Sequence, residues 1–470
     1  MAPSEEENSV LKAHNAELIQ QLRDHGIEPK VPSAAPPSKT DIISKEEPSI
    51  SLSPEACLKL ITDNLQESLN LEIIEAKLKN NQAPSIYWGT ATTGRPHCGY
   101  FVPGLKIAQF LRAGCRVTIL LADIHAFLDN EKAPFELVVH RAKFYRFVIT
   151  EMLKAAGVST EKLAFVLGSD YQLSKEYSLD LLRMSTKVSE HDAKRAGAEV
   201  VKQSENAPLS GLLYPLMQAL DEEYLHVDAQ FGGVDQRKIF ALAKEMLPRI
   251  GYKERAHLMN ALVPGLAGGK MSSSDPDSKI DLLDDAAAVQ KKIRKAYAMP
   301  RTVQDNGLIS FIEFVLLPAG ALLRGGEPRF VVERRADEGE GTPLVYSDIA
   351  ALKRDYEADV LTPQLLKSSV TVALTTLLQP IQAAFQASPE WQRIARLAYP
   401  PAQPEKPEKK KKEKKDKGKF HPGAKQTNGG LVAQPDGHVE GPGAERAGVM
   451  GGAREAMEKL DMASEAVREA

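Results

Sequence analysis

A regular alternation of short apolar runs and helical runs begins near residue 85, and it is the feature that most constrains the fold. Length and β-branched content predict three buried strands: SIYWGTA (85–91), RVTILL (116–121) and KLAFVLG (162–168). Helical patterns occupy the stretches 99–113, 134–156 and 174–202. Because parallel strands need crossover connections, this repetition predicts an α/β domain built on a parallel sheet.

The regions on either side of the alternation have a different composition. Residues 9–25 have the spacing of one short amphipathic helix, and 29–54 are rich in Pro, Ser and Lys, as is typical of a linker. Apolar positions in 52–80 predict two helices, and 286–400 is predicted to be mainly helical. From Ala402 the chain becomes rich in lysine, with nine lysines and four acids in 404–419. Such a segment buries too little apolar surface to fold alone, which predicts disorder.

Overall composition bounds the classes of protein that this chain can form. With 470 residues and 43% hydrophobic content, the chain can bury a sizeable core, and two or three units are expected. A net charge of −3 does not indicate a general affinity for nucleic acid, so such contacts must come from local patches. The three cysteines form no CxxC pair, which argues against a disulfide framework or a zinc site. No stretch of 18 apolar residues occurs, so no membrane span is predicted, and the acidic N-terminus lacks the apolar region of a signal peptide.

The first motif with chemical content is TTGRPHCGY (92–100), which follows a predicted strand and opens a helix. Glycines such as Gly94 and Gly99 let the backbone approach a ligand, and helix N-termini attract phosphate. His97 could donate to an oxyanion developing at phosphorus. The alternative is a turn whose glycines only pack and whose histidine is satisfied by the backbone.

The second motif is GGKMSSSDPDSKI (268–280). One lysine among glycines and serines offers a positive charge and several hydroxyl donors, a combination suited to a pyrophosphate leaving group. The alternative is an exposed loop of ordinary turn residues.

A third pattern places polar side chains on one helix face. Tyr214, Gln218 and Asp221 are spaced i, i+4 and i+7. Such a stripe is more often solvated, but four leucines crowd the same segment, which favours a semi-buried stripe. Asp123 and His125 follow the second strand, where open α/β sheets bind ligands, and they are candidates for supporting a site there.

Five longer strings together carry a family resemblance. HCGY (97–100) resembles the HIGH-type signature, and KMSSS (270–274) the KMSKS signature, of class I aminoacyl-tRNA synthetases. More specifically, the chain resembles the eukaryotic and archaeal tyrosyl-tRNA synthetase family in five strings: YWGTATTGRPHCGY, LADIHAFLDN, GSDYQLSKEY, LLYPLMQALDEEYLHVDAQFGGVDQRK and HLMNALVPGLAGGKMSSS. The resemblance covers roughly residues 50–400.

The resemblance implies a reaction and a set of site residues. It implies activation of L-tyrosine by ATP, which arrives with Mg²⁺, followed by transfer to tRNA(Tyr), with no metal held by the protein itself. His97 and Lys270 would be catalytic. ATP would be bound by Thr92, Gly94, His97, Gly99, Lys270, Met271, Ser272, Ser273 and Ser274. The phenolic hydroxyl of tyrosine would meet Tyr87 and Asp221, and its amino group would meet Tyr214, Gln218 and Gln236. Arg237 and Lys238 would contact the tRNA acceptor stem.

The family resemblance also implies an organisation of the chain. A mostly flexible extension (1–50) would precede a Rossmann-like catalytic domain with an inserted dimerisation segment (51–285). An all-α anticodon-binding domain (286–400) and a lysine-rich low-complexity tail (401–470) would follow. A cytoplasmic homodimer without membrane contact is expected.

Some positions depart from the family pattern, and other functions remain open. Cys98 and Tyr100 replace two residues of the HIGH-type string, while its histidine and glycine are kept. LTPQLLKSSV (361–370) has Thr362 in place of a histidine and Leu365 in place of an anticodon-reading acid, which puts base reading there in doubt. The alternatives are a tryptophanyl-tRNA synthetase, a non-catalytic RNA-binding relative and a small-molecule nucleotidylyltransferase.

Overall fold

The computed structural model describes residues 52–129, 134–158, 160, 163–201, 208–266, 279–323, 327–334 and 341–400. The predicted helix at 9–25, the lysine-rich tail and the KMSSS string (270–274) lie outside these residues.

The first part of the described chain contains the main sheet and the helices around it. Its elements are α1 (Pro54–Thr62), β1 (Leu65–Leu69), α2 (Glu72–Lys79), β2 (Ser85–Ala91), α3 (Phe101–Arg112), β3 (Arg116–Ala122), α4 (Asp123–Leu128), α5 (Phe135–Ala155), β4 (Leu163–Leu167), α6 (Ser169–Gln172), α7 (Lys175–Ser185), α8 (Glu190–Gly197), α9 (Ser210–Tyr224), β5 (Ala229–Gly233), α10 (Arg237–Arg249) and β6 (Ala256–Asn260). Short 3₁₀ turns, Cys98–Tyr100 and Val234–Gln236, precede α3 and α10.

The six-stranded sheet has the order β1-β6-β5-β2-β3-β4. Every neighbouring pair is parallel except β1 with β6, so the predicted Rossmann-like parallel sheet is confirmed with one antiparallel edge strand. From β2 the chain moves outward to β3 and β4, then returns to the other side of β2 for β5 and β6. The boundary between β2 and β5 is therefore a topological switch point, and ligands bind beyond the strand ends at such points.

Several elements differ from the sequence prediction. The stretch 52–80 contains the two predicted helices but also β1 between them, whose sequence LQESL has little strand character and is held by pairing with β6. The predicted helix at 174–202 is two helices, because the Ser189 side chain accepts the Asp192 N–H and starts α8 anew. The strand β5 was not predicted because it ends in two glycines, which weaken a strand pattern.

The remaining part of the described chain is mainly helical, as predicted. Its elements are α11 (Ala286–Lys295), α12 (Gly307–Phe311), a π-helical turn (Ile312–Leu316), α13 (Leu317–Leu323), β7 (Phe330–Val332), β8 (Leu344–Tyr346), α14 (Ile349–Glu357), α15 (Pro363–Ala387) and α16 (Pro389–Ala398). The antiparallel pair β7–β8 is an addition to the predicted helices. These helices share one hydrophobic cluster with the residues around the main sheet. Among the described helices, none is long and apolar enough to cross a bilayer.

Thr362 and Leu365, the two departures from the family's anticodon-domain string, have structural roles at the start of α15. Thr362 is the N-cap, and its hydroxyl accepts the Leu365 N–H at 3.3 Å. Leu365 is 6% exposed and packs in the main cluster. Its aliphatic side chain also has no polar group that could bind a base. The start of α15 is therefore stabilised by a cap and by apolar burial.

We expect Thr362→Ala to lower the free energy of unfolding by about 1 kcal/mol, since an N-cap hydroxyl satisfies an otherwise unpaired helix N–H. Urea unfolding followed by far-UV circular dichroism measures this loss. Thr362→Ser keeps the hydroxyl and should retain most of the stability. Equal losses in both variants would show that the cap hydrogen bond does not contribute.

Candidate active site

The turn between β2 and α3 carries the first motif to the switch point. His97 has an extended backbone conformation and caps the 3₁₀ turn Cys98–Tyr100, with its Nδ1 accepting the Gly99 N–H at 3.2 Å. Tyr100 leads directly into α3, and Pro103 lies in the first turn of that helix, where no intrahelical N–H is needed. The predicted strand–turn–helix context of this motif is confirmed.

The chain from Lys279 onward pairs with this same turn. Cys98 donates its N–H to the Ile280 carbonyl at 2.9 Å, and Leu282 donates to the Pro96 carbonyl at 3.4 Å. Arg95 and Asp281 form an ion pair with Nε and Oδ2 2.7 Å apart. The segment that follows the KMSSS string is thereby held against His97.

His97 is a neutral hydrogen-bond donor in this environment. Burial, and secondly the Lys279 ammonium, lower the pKa of His97 from 6.5 to about 4. Because Nδ1 accepts the Gly99 N–H, the single proton of the neutral ring resides on Nε2. The side chain can therefore donate to a phosphate oxygen at neutral pH without changing its own charge.

This lowered pKa predicts a pH-dependent stability. The unfolded state binds a proton at His97 near pH 6.5, whereas the folded state binds it only near pH 4. The free energy of unfolding should therefore fall as the pH drops through this window, by at most about 1.4 kcal/mol per pH unit from this residue. Urea unfolding between pH 4.5 and 7 should give a shallower slope for His97→Gln than for the wild type. The exposed His191, changed to Gln, is the matched control, and a slope unchanged by His97→Gln would contradict the assignment.

Helix α9 presents the predicted polar stripe to the interior. Tyr214, Gln218 and Asp221 are 7%, 8% and 0% exposed, which confirms a buried polar face. Gln218 Nε2 donates to Gln236 Oε1 at 2.8 Å, so the two predicted amide groups already meet. The Tyr87 hydroxyl donates to the Gln218 carbonyl at 3.3 Å.

Asp221 is a buried carboxylate surrounded by hydrogen-bond donors. Its Oδ1 accepts from Tyr171 at 2.8 Å, Gln172 at 2.8 Å and Tyr177 at 3.0 Å. Its Oδ2 has no hydrogen-bond partner among the described residues, and Nε2 of His125 lies 3.9 Å away. Burial raises the pKa of Asp221, while His125 and these donors oppose the rise by favouring the carboxylate.

One cleft of about 300 Å³ brings these groups together. The predicted site residues that line it are Tyr87, His97, Gly99, Tyr214, Gln218, Asp221 and Gln236. The lining includes both the helix-opening turn, through His97 and Gly99, and the buried Asp221 carboxylate. Its volume suits an amino acid and adjoining phosphate groups.

Other predicted residues lie elsewhere. Thr92 is fully buried and Gly94 does not line the cleft, since the Gly94 carbonyl accepts hydrogen bonds from Tyr145 and Tyr399. Arg237 and Lys238 start α10 outside the cleft and pair with Glu67 and Glu199.

The structure adds residues that the sequence did not single out. Gln230 and Asp129 line the cleft, while Tyr171, Gln172 and Tyr177 contact Asp221. The three contacts lie in GSDYQLSKEY, directly after a strand end, and that position is the signal that could have indicated them. His125, a candidate supporting residue, lines the cleft and packs edge-on against Tyr214.

No group of three or more His, Cys, Asp or Glu side chains is arranged to hold a metal ion within the part of the chain that the structure describes. The three cysteines, Cys57, Cys98 and Cys115, are buried free thiols.

A parallel sheet, a histidine-bearing turn at its switch point and an adjoining buried polar cleft define a class I synthetase type of site. A family model described as "tRNA synthetases class I (W and Y)" matches residues 79–379. The cytoplasmic tyrosine–tRNA ligase of Saccharomyces cerevisiae is 52% identical over 378 residues, which are 80% of this chain and 95% of the yeast protein. The chain belongs to the tyrosine–tRNA ligase family.

Two further relatives support this family. The cytoplasmic tyrosine–tRNA ligase of Danio rerio is 55% identical over 349 residues, which are 74% of this chain but only 64% of the fish protein. The tyrosyl-tRNA synthetase of Archaeoglobus fulgidus, solved in complex with L-tyrosine, has a TM-score of 0.64 and 35% identity, covering 70% of this chain and 99% of the archaeal chain.

Proposed function

We propose that the chain is a tyrosine–tRNA ligase (EC 6.1.1.1) acting in the cytoplasm. It activates L-tyrosine with ATP and transfers the tyrosyl group to tRNA(Tyr). The observation that carries this proposal is the convergence of His97 and Asp221 on one cleft, because phosphate chemistry and recognition of a hydroxyl then share a site. Family membership, and relatives named as cytoplasmic tyrosine–tRNA ligases, support the same activity.

The reaction has two steps. The tyrosine carboxylate attacks the α-phosphorus of ATP, which forms tyrosyl-adenylate and releases pyrophosphate. A hydroxyl of the terminal ribose of tRNA then attacks the tyrosyl carbonyl and releases AMP. Neither step needs a protein nucleophile, so positioning and stabilisation of charge supply the acceleration.

The residues lining the cleft have distinct roles in this proposal. Asp221 and Tyr87 bind the phenolic hydroxyl. Tyr214, Gln218 and Gln236 bind the amino group, and the Gln218–Gln236 hydrogen bond supports their common orientation. His97 donates from Nε2 to the α-phosphate, with its ring oriented by the Gly99 N–H at Nδ1, while Thr92 and Gly94 shape the turn.

The string Lys270, Met271, Ser272, Ser273 and Ser274 would bind the pyrophosphate side of ATP. It precedes by a few residues the segment that pairs with Arg95 and His97, which supports a common location. Mg²⁺ would enter as part of the ATP substrate and neutralise phosphate charge.

We expect Lys270→Ala to slow adenylate formation by about 100-fold, because one charged donor to the leaving group is lost. The KM for tyrosine should change much less, since that substrate is bound elsewhere in the cleft. Pre-steady-state adenylate formation and ATP–pyrophosphate exchange measure both effects. The exposed Lys187, changed to Ala, is the control, and unchanged exchange turnover in Lys270→Ala would count against the role.

The wider assembly is part of the same proposal. Arg237 and Lys238, which are about half exposed, would contact the acceptor stem after exchanging their acidic partners for RNA. The helices of 286–400 would bind the anticodon side, with 51–285 as the catalytic domain. A homodimer would form through the inserted helices between β4 and β5, where Leu173, Leu179 and Leu182 are 56%, 47% and 63% exposed. Sedimentation of the purified chain tests the dimer.

ATP–pyrophosphate exchange with tyrosine, phenylalanine and tryptophan separately tests the function. Exchange that depends on tyrosine alone is expected. Exchange with tryptophan would favour a tryptophanyl-tRNA synthetase. Absence of exchange with all three would favour a non-catalytic RNA-binding protein.

A further inference from the structure

The Asp221 carboxylate is held asymmetrically. Three donors, the Tyr171 hydroxyl, the Gln172 amide and the Tyr177 hydroxyl, lie within 2.8–3.0 Å of Oδ1. The residue is fully buried, and Oδ2 has no hydrogen-bond partner among the described residues. Asp221 lines the cleft, so Oδ2 is the oxygen left for a ligand.

The three donors come from two short neighbouring helices. Tyr171 and Gln172 end α6, and Tyr177 lies in the first turn of α7. The Tyr177 hydroxyl also lies 2.8 Å from the Met217 carbonyl of α9, so its single proton is shared between that carbonyl and Asp221 Oδ1. The two phenol rings pack edge-to-face with centroids 5.7 Å apart. Each hydroxyl is therefore fixed by its surroundings before a ligand binds.

We propose that Tyr171 and Tyr177 are positioning residues that fix the Asp221 carboxylate with Oδ2 free, and that they thereby set the selection of a hydroxyl-bearing amino acid over phenylalanine. This inference rests on the proposed function and identifies what orients its selecting group. Neither hydroxyl needs to touch the substrate, because both act through Oδ1.

The physical reason lies in the charge of the buried carboxylate. A buried carboxylate is costly unless hydrogen bonds satisfy it, and donors to Oδ1 favour the ionised form. An ionised Oδ2 accepts a hydrogen bond from a substrate hydroxyl and remains unpaired beside phenylalanine. When a donor to Oδ1 is lost, the carboxylate can rotate or become protonated, so it binds the hydroxyl less well and rejects phenylalanine less strongly.

The test compares three tyrosine-to-phenylalanine variants. Tyr177→Phe and Tyr171→Phe each remove a hydroxyl that reaches Asp221. Tyr224→Phe is the matched control, because its ring packs against both other rings while its hydroxyl donates to Asp180 at 2.8 Å. kcat/KM for tyrosine and for phenylalanine is measured by ATP–pyrophosphate exchange, and thermal unfolding reports folding.

We expect Tyr177→Phe and Tyr171→Phe each to lower the ratio of kcat/KM for tyrosine to that for phenylalanine by roughly 10- to 100-fold, the effect of one hydrogen bond to a charged group. The Tyr224→Phe ratio should match the wild type. In an Asp221→Asn background, the same changes should alter the ratio by less than about threefold, because they act through the carboxylate.

The inference would be overturned if kcat/KM fell equally for tyrosine and phenylalanine, or if both variants kept the wild-type ratio of the two kcat/KM values. If Tyr177→Phe does not fold, the half-buried Tyr171 still decides the outcome. A wild-type chain without tyrosine-dependent exchange would refute the proposed function itself. If the wild type selects tyrosine over phenylalanine and both variants keep the same ratio of kcat/KM values, only the positioning role is refuted.

Discussion

Asp221→Asn is expected to lower kcat/KM for tyrosine-dependent ATP–pyrophosphate exchange by about 100- to 1000-fold, while kcat/KM for phenylalanine falls by less than about tenfold. The substitution keeps the size of the side chain but removes the charge that an incoming hydroxyl would meet. Three donors also lose a charged acceptor. The ratio of kcat/KM for tyrosine to that for phenylalanine should therefore fall by roughly 10- to 1000-fold.

This large effect follows from the cost of unpaired buried groups. Synthetases specific for tyrosine are the known example of this cost, and as a class they reject phenylalanine by about 10⁵-fold without editing. Glu223→Gln is the control, since Glu223 is a neighbouring acid that pairs with Arg255 outside the cleft. A selectivity ratio that Asp221→Asn leaves at the wild-type value would assign hydroxyl recognition to another residue.

Trp391→Ala is expected to lower the free energy of unfolding by about 3–5 kcal/mol, the usual cost of deleting a buried aromatic side chain. Trp391 is 1% exposed and belongs to α16. It stacks on Phe147 of α5, with centroids 5.8 Å apart, and meets the Phe385 ring edge-on at 5.3 Å. The substitution leaves a cavity at the junction of α5, α15 and α16.

Urea unfolding followed by far-UV circular dichroism measures this loss. Trp391→Phe is the matched control and should cost clearly less, because it keeps an aromatic ring. The indole N–H has no hydrogen-bond partner among the described residues, so no polar contact is lost with it. Equal stability of Trp391→Ala and the wild type would mean that α16 does not contribute to the cooperative core.

Local patterns in the sequence were sufficient for much of the fold. The strands β2, β3 and β4 were predicted within a residue or two because buried parallel strands are continuous apolar runs. The strands β1, β5 and β6 were not predicted, since LQESL, AQFGG and AHLMN contain no β-branched residue and depend on pairing with distant partners. The pair β7–β8 within the helical region is a further example, because three-residue strands are too short to show a period.

The candidate site likewise has features that local sequence predicts and features that only folding specifies. Helical spacing alone placed Tyr214, Gln218 and Asp221 on one face, since the period of a helix is a local property. Spacing could not decide whether that face was solvent-exposed or buried. Only the packing of α9 against its neighbouring helices decided it, and folding also brought Tyr87, from a strand more than 120 positions earlier, to the Gln218 carbonyl.

By itself, the sequence determined the α/β class, the motif at the start of α3 and the family to which the chain belongs. These depend on local periodicity and on the order of short strings along the chain. Tertiary structure alone decided that His97 stays neutral, through burial and Lys279, and that Asp221 keeps one oxygen free while three donors hold the other. Charge state and hydrogen-bond satisfaction depend on neighbours brought together by folding, and no local pattern specifies those neighbours.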